Sequence, residues 1–168
     1  MSRDPIILKR AFSVYVRPIV EYVSPVWCPH LMKYITTIER VQRIFTKFVP
    51  SVSSLSYNNR AATLKLYLLE IRRLQTDLTT YYKILNNLLP SIHPDMLCLS
   101  PLTLTRGHPY KLSKLPFRTN MLKFSFMNRV INIWNTLPLL TVCAGSISAF
   151  KAMLKMFDLT PFLFENQN

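Results

Sequence analysis

Apolar side chains recur at helical intervals along most of this chain, and the polar residues between them fall into faces of their own. Leu8, Phe12, Tyr15, Ile19 and Tyr22 lie three or four positions apart, which predicts one stripe of an amphipathic helix. Arg10 and Arg17 fall off that stripe, and Glu21 sits one turn from Arg17, within reach of an ion pair. Pro18 removes a backbone donor and crowds the preceding turn, so a kink or break is expected there. Ser24-Pro25 and Cys28-Pro29 then end the helix. A second helix, from about Leu31 to Phe48, is predicted to place Ile35, Ile38, Val41, Phe45 and Phe48 inside and Arg40, Arg43 and Lys47 on the opposite face.

After a serine-rich connector, Ser56 is placed to cap a short helix running to Leu66. From Leu68 to Leu89 the residues Ile71, Leu74, Leu78, Tyr81, Leu85 and Leu88 keep an alternating three-four spacing, with Arg72, Arg73 and Lys83 off that seam. Five prolines between Pro90 and Thr119 exclude a long helix, and Tyr110 to Leu115 is the one candidate strand. Helical order resumes near Met121. Leu122, Phe126, Val130, Ile133 and Leu137 form one stripe and Met127, Ile131 and Trp134 a second, which predicts a largely buried helix ended by Pro138. Ser146 caps a last helix with Ile147, Phe150, Leu154 and Phe157 inside. The expected fold is mainly α, a bundle of about five to six helices with a proline-rich irregular strap and at most one short strand or hairpin. Its expected core includes Tyr22, Trp27, Ile38, Val41, Phe45, Leu74, Leu78, Phe126, Val130, Trp134 and Phe150. Residues 1–90 form a first helical region, 91–119 the strap, 120–158 a helical pair expected to pack back on the first region, and 159–168 a tail.

Charge then narrows the choice of partner. Twenty-one lysines and arginines against eight acids give a formal net charge of +13 over 168 residues, a balance that favours polyanions such as nucleic acid or an anionic membrane. The three cysteines, odd in number and unevenly spaced, argue against a disulfide framework and fit a reducing compartment. With no leader and no long uncharged apolar run, the chain reads as soluble and intracellular, in cytoplasm or nucleus, with membrane the less favoured partner.

Several short runs, taken in order, carry a family resemblance. Val16-Arg17-Pro18-Ile19-Val20-Glu21-Tyr22-Val23-Ser24-Pro25-Val26-Trp27 is followed by Ile38-Glu39-Arg40-Val41-Gln42-Arg43-Ile44-Phe45-Thr46-Lys47 and by Leu69-Glu70-Ile71-Arg72-Arg73-Leu74. Thr105-Arg106-Gly107-His108, Asn128-Arg129-Val130 and Trp134-Asn135-Thr136-Leu137-Pro138 come next, then Ser146 with Phe150-Lys151. Together they resemble the region beyond the catalytic palm in LINE-type, jockey-like non-LTR retrotransposon reverse transcriptases, the RNA-directed DNA polymerases of those mobile elements. The chain departs from the family where Lys65-Leu66-Tyr67-Leu68 replaces a glycine-containing helix stop, so the short helix is expected to run into the long one, and where Asn58-Asn59 replaces an acidic pair. The resemblance implies a thumb and tail, with a thumb-like role for residues 1–90. It implies a non-catalytic role in gripping RNA template and DNA primer, and as partners RNA, DNA, the RNA–DNA duplex and the palm and fingers of a parent polymerase.

Catalysis has no residues to rest on. The family's palm holds its magnesium ions with adjacent aspartates, whereas the acids here, Asp4, Glu21, Glu39, Glu70, Asp77, Asp95, Asp158 and Glu165, are never closer than seven positions. No catalytic residue, metal ligand or cofactor is therefore expected in this chain. Cys28, His30, His93 and Cys98 have zinc-ligand chemistry but match no standard spacing. The candidate phosphate contacts are Arg40, Arg43 and Lys47, then Arg10, Arg17, Arg72, Arg73 and Arg106. The competing possibilities are an all-helical protein-interaction module, a degenerate remnant without activity, and peripheral attachment to anionic membrane.

Overall fold

In the computed structural model, which describes residues 4–90, 97, 99–100, 108–114 and 116–163, the chain is mainly α. It divides into two compact units, Met1–Arg73 and Leu74–Gln167. The division falls inside one helix.

The first unit begins with α1 (Pro5–Ala11), whose N-cap Asp4 accepts a hydrogen bond from the Ile6 amide at 2.8 Å, with proline in the first turn. A π-helical turn, Phe12–Val16, follows and leads into α2 (Arg17–Glu21). That turn absorbs Pro18. The wide turn immediately precedes the proline, where the ring would otherwise crowd a carbonyl one turn back, so the helix neither breaks nor stays regular. It also shifts the phase of everything after Phe12. Phe12 is buried as expected, but Val16 and Val20 are the partly covered positions, while Tyr15, Ile19 and Tyr22 lie on the surface, Tyr22 at 74% exposure. Tyr22 is thus not a core residue. The short α3 (Ser24–Trp27) starts after Val23, a β-branched residue held at φ 48°. Trp27 is also outside the core, 40% exposed, with its indole N–H given to the Tyr22 carbonyl.

The long α4 (Met32–Lys47) buries Ile35, Glu39, Gln42 and Thr46. Relative to the expected orientation it is turned so that Val41 and Phe48 face outward, while Ile38 and Phe45 are half-buried. The reason is hydrogen bonding. Glu39 accepts from the Tyr57 hydroxyl and, at 3.0 Å, from the amide of Leu69. Gln42 Nε2 donates to the Tyr67 carbonyl at 3.1 Å, and Thr46 Oγ1 accepts from Arg60 Nε at 3.1 Å. Phe45 stacks on Phe12, ring centroids 4.3 Å apart, and with Leu8 it packs against a cluster of Val49, Val52, Leu64 and Leu66.

Ser56 caps α5 (Tyr57–Thr63) as the sequence indicates. The helix does not run on into the next one. Lys65 adopts φ 51°, its amide bonds to the Ala62 carbonyl at 2.9 Å, and the Leu66 amide reaches the Ala61 carbonyl at 2.8 Å, the paired bonds of a Schellman ending without its usual glycine. α6 (Leu69–Leu85) ends the same way, with Asn87 at φ 55° and the Leu88 amide on the Lys83 carbonyl, so Leu88 is exposed rather than part of the seam.

In the second unit the expected long helix is three pieces, α7 (Asn120–Lys123), α8 (Phe126–Arg129) and α9 (Ile131–Thr136). Ser125 breaks it by bonding its hydroxyl to the Leu122 carbonyl, which also accepts from the Asn128 side chain at 2.9 Å. α10 (Leu139–Val142) follows Pro138, and α11 (Ile147–Met156) starts at Ser146, whose hydroxyl accepts from the Ala149 amide. Among the described residues the expected strand reduces to one antiparallel bridge between Leu99 and Leu112. Leu78, Tyr81, Tyr82, Val130, Trp134 and Phe150 are buried, and Leu74 and Phe126 half-buried. Trp134 is the centre of this core. Its indole N–H donates to the Tyr110 carbonyl at 2.9 Å, its own carbonyl accepts from His108 Nε2 at 3.0 Å, and the rings of Tyr81 and Phe150 each lie 6.2 Å away.

Candidate nucleic-acid interface

Only part of the predicted basic set is available to a ligand. Arg40, Arg43 and Lys47 are exposed on α4, and Arg10 is exposed at the end of α1. The guanidinium of Arg43 lies over the Tyr57 ring, 5.0 Å from its centroid, so its charged head rests on an aromatic face. The acid of this helix does not reach the cationic face. Glu39, the one acid of α4, is turned inward and spends its oxygens on the Tyr57 hydroxyl and on the first amide of α6, where a carboxylate also meets the positive end of the helix dipole. The outward face of α4 is therefore cationic without an intrahelical counter-charge. Lys33, also exposed, falls in line with Arg40 and Lys47 at seven-residue intervals. That repeat is legible in the sequence as a lysine or arginine at positions 33, 40 and 47.

Of the other predicted contacts, Arg17 and Arg72 are engaged and Arg73 is enclosed. Glu21 pairs with Arg72 through two bonds, one of them 2.8 Å from Arg72 Nη2, and stands 4.0 Å from Arg17, so both arginines are tied to one carboxylate. The hydrogen bond to Glu21 raises the pKa of Arg72. Burial, then the neighbouring charge of Arg72, lowers that of Arg17. Arg73, expected off the seam of its helix, is only 1% exposed, and none of its three guanidinium nitrogens has a hydrogen-bond partner among the described residues. As a surface contact for phosphate it is excluded. Arg106 lies outside the described residues, as do His93 and Cys98. His108 is buried against Trp134.

Among the described residues no group of three His, Cys, Asp or Glu side chains converges as a metal site would require, and no helix is long and apolar enough to cross a membrane. No protein-family model, curated protein or solved structure matches the chain.

Proposed function

We propose that this chain holds nucleic acid by its sugar–phosphate backbone, as the thumb and tail of a LINE-type reverse transcriptase that grips RNA template and DNA primer. The observation that carries this reading is the unopposed row of Arg40, Arg43 and Lys47 on the outward face of α4, with Glu39 withdrawn from it. Flexible cations on a rigid helix meet phosphates by position and charge, and they read no bases. The order of the sequence motifs supports the polymerase assignment. Divalent-ion chemistry belongs in this reading to the palm of the parent enzyme, because the acids of this chain include no adjacent pair.

The test replaces Arg40, Arg43 and Lys47 together by glutamine, which keeps length and helix propensity. Affinity for RNA–DNA duplexes of unrelated sequence should fall about equally, and the slope of log affinity against log salt should shrink by roughly 2–3 units, a little under one counterion per contact. Unchanged affinity and slope in a variant with an unchanged melt would defeat the assignment.

A further inference from the structure

The turn of α4 leaves on the surface beside the cations a seam that is apolar except at Thr37, whose hydroxyl is turned back onto the Lys33 carbonyl at 2.6 Å. Tyr34, Thr37, Val41, Ile44 and Phe48 follow one another at intervals of three, four, three and four residues, and all five are exposed, Tyr34 at 52%, Ile44 at 44% and Phe48 at 71%. Lys33, Arg40 and Lys47 each precede a seam residue and form a continuous cationic edge, since seven residues return a helix almost to the same line. The other edge is closed by half-buried Phe45, stacked on Phe12. We infer that this seam docks an acidic amphipathic helix of a protein partner, with apolar side chains at matching three-four spacing and glutamates along one edge.

Shape and charge select this occupant over two others. A stripe of strict three-four spacing is narrower than the arc a helix needs to lie in a bilayer, and it is the width that receives another helix. In an antiparallel twofold pairing of two copies through the seam, the lysine–arginine edge of one copy would lie along the same edge of the other, which is repulsive, and in a parallel one it would lie along the Ile38–Phe45 edge, which offers no acid. A partner with glutamates on that edge turns the same geometry into attraction. From Tyr34 to Phe48 the seam is about 21 Å long, two heptads. Arg40 and Lys47 border the seam and also belong to the phosphate-gripping row. If that earlier reading holds, helix and nucleic acid compete, but the seam itself does not depend on it.

The probe is a fluorescent synthetic helix of three heptads with leucine at the seam positions and glutamate beside them, compared by anisotropy with a peptide of the same composition and scattered leucines. The ordered peptide should bind the full chain at least about tenfold more tightly, and Val41→Ser with Ile44→Ser should remove that advantage while leaving duplex binding intact. Exchanging Lys33, Arg40 and Lys47 for glutamate should transfer preference to a lysine-edged peptide, a gain of binding that an unfolded variant cannot give. Equal binding of the two peptides, or insensitivity to the seam substitutions, overturns the inference. So does self-association that depends on Ile44, or capture by phosphatidylglycerol vesicles that Ile44→Ser abolishes.

Discussion

Arg129 meets Asp77 through two parallel bonds, Nε to Oδ2 at 2.9 Å and Nη2 to Oδ1 at 3.0 Å, with the aspartate wholly buried. Helices 52 residues apart in sequence are thereby joined by a planar, desolvated pair within the second unit. Replacing only Asp77 by leucine removes both acceptors and the charge that compensates the guanidinium, and the variant should lose about 3–5 kcal/mol in urea unfolding. The double variant Asp77→Leu with Arg129→Met should recover most of that loss, since a buried ion pair and an apolar pair of similar volume differ little in net stability. A single variant as stable as the double one would contradict the arrangement.

Arg73 presents the opposite case, a buried guanidinium whose nitrogens have no hydrogen-bond partner among the described residues. Arg73→Met keeps the length of the side chain and removes the uncompensated charge, so it should stabilise by on the order of 1–3 kcal/mol. In a chain of this size that corresponds to a rise in melting temperature of about 2–4 °C per kcal/mol, readable by calorimetry. A fall in melting temperature would show that Arg73 is paired in solution.

Lys65 ends α5 in a left-handed conformation that an L side chain adopts at a cost of about 1–2 kcal/mol. Lys65→Gly should therefore stabilise by about 0.5–1 kcal/mol once the added freedom of the unfolded glycine is subtracted, while Lys65→Ala should change little. Equal effects of the two substitutions in chemical denaturation would rule out the Schellman ending.

Two tyrosines should set the alkaline limit. Burial, then the hydrogen bond to Glu39, raises the pKa of Tyr57, and burial raises that of Tyr81. The folded state holds both phenols neutral, so their contribution is fully present below the unfolded value near 10 and is lost as pH climbs above it. In a spectrophotometric titration, these two of the eight tyrosines should ionise only as the fold opens. All eight ionising together near pH 10 in folded protein would contradict this.

Helix positions and caps were legible because spacing and capping residues act locally: Ser56 and Ser146 cap where expected, and Pro138 stops α9. Helix rotation was not. Periodicity assigned the inside of α4 to its most apolar side, but burial went to Glu39, Gln42 and Thr46, whose partners Tyr57, Tyr67 and Arg60 are 14 to 25 residues away in the bonds they share. The π turn before Pro18 likewise moved Tyr15, Ile19 and Tyr22 to the surface, because the sequence signals a proline there and no extra residue in the turn. Of the candidate site, the exposed trio on α4 was foreseen. The approach of Glu21 to Arg17 was legible as a pair one turn apart, but its capture of Arg72 is a pairing across 51 positions, beyond the reach of local pattern.

The inward polar face of α4 decides between two orientations open to the helix. Hydrophobic collapse is non-directional and would draw Val41, Ile44 and Phe48 inward as readily as Ile35. The native rotation is fixed only when Glu39, Gln42 and Thr46 find their directed bonds to Tyr57, Leu69, Tyr67 and Arg60. The helix thus has two competing inner faces, a local frustration resolved by hydrogen-bond valence, so its outward seam is held open by the polar groups of the region from Tyr57 to Leu69 and not by its own pattern.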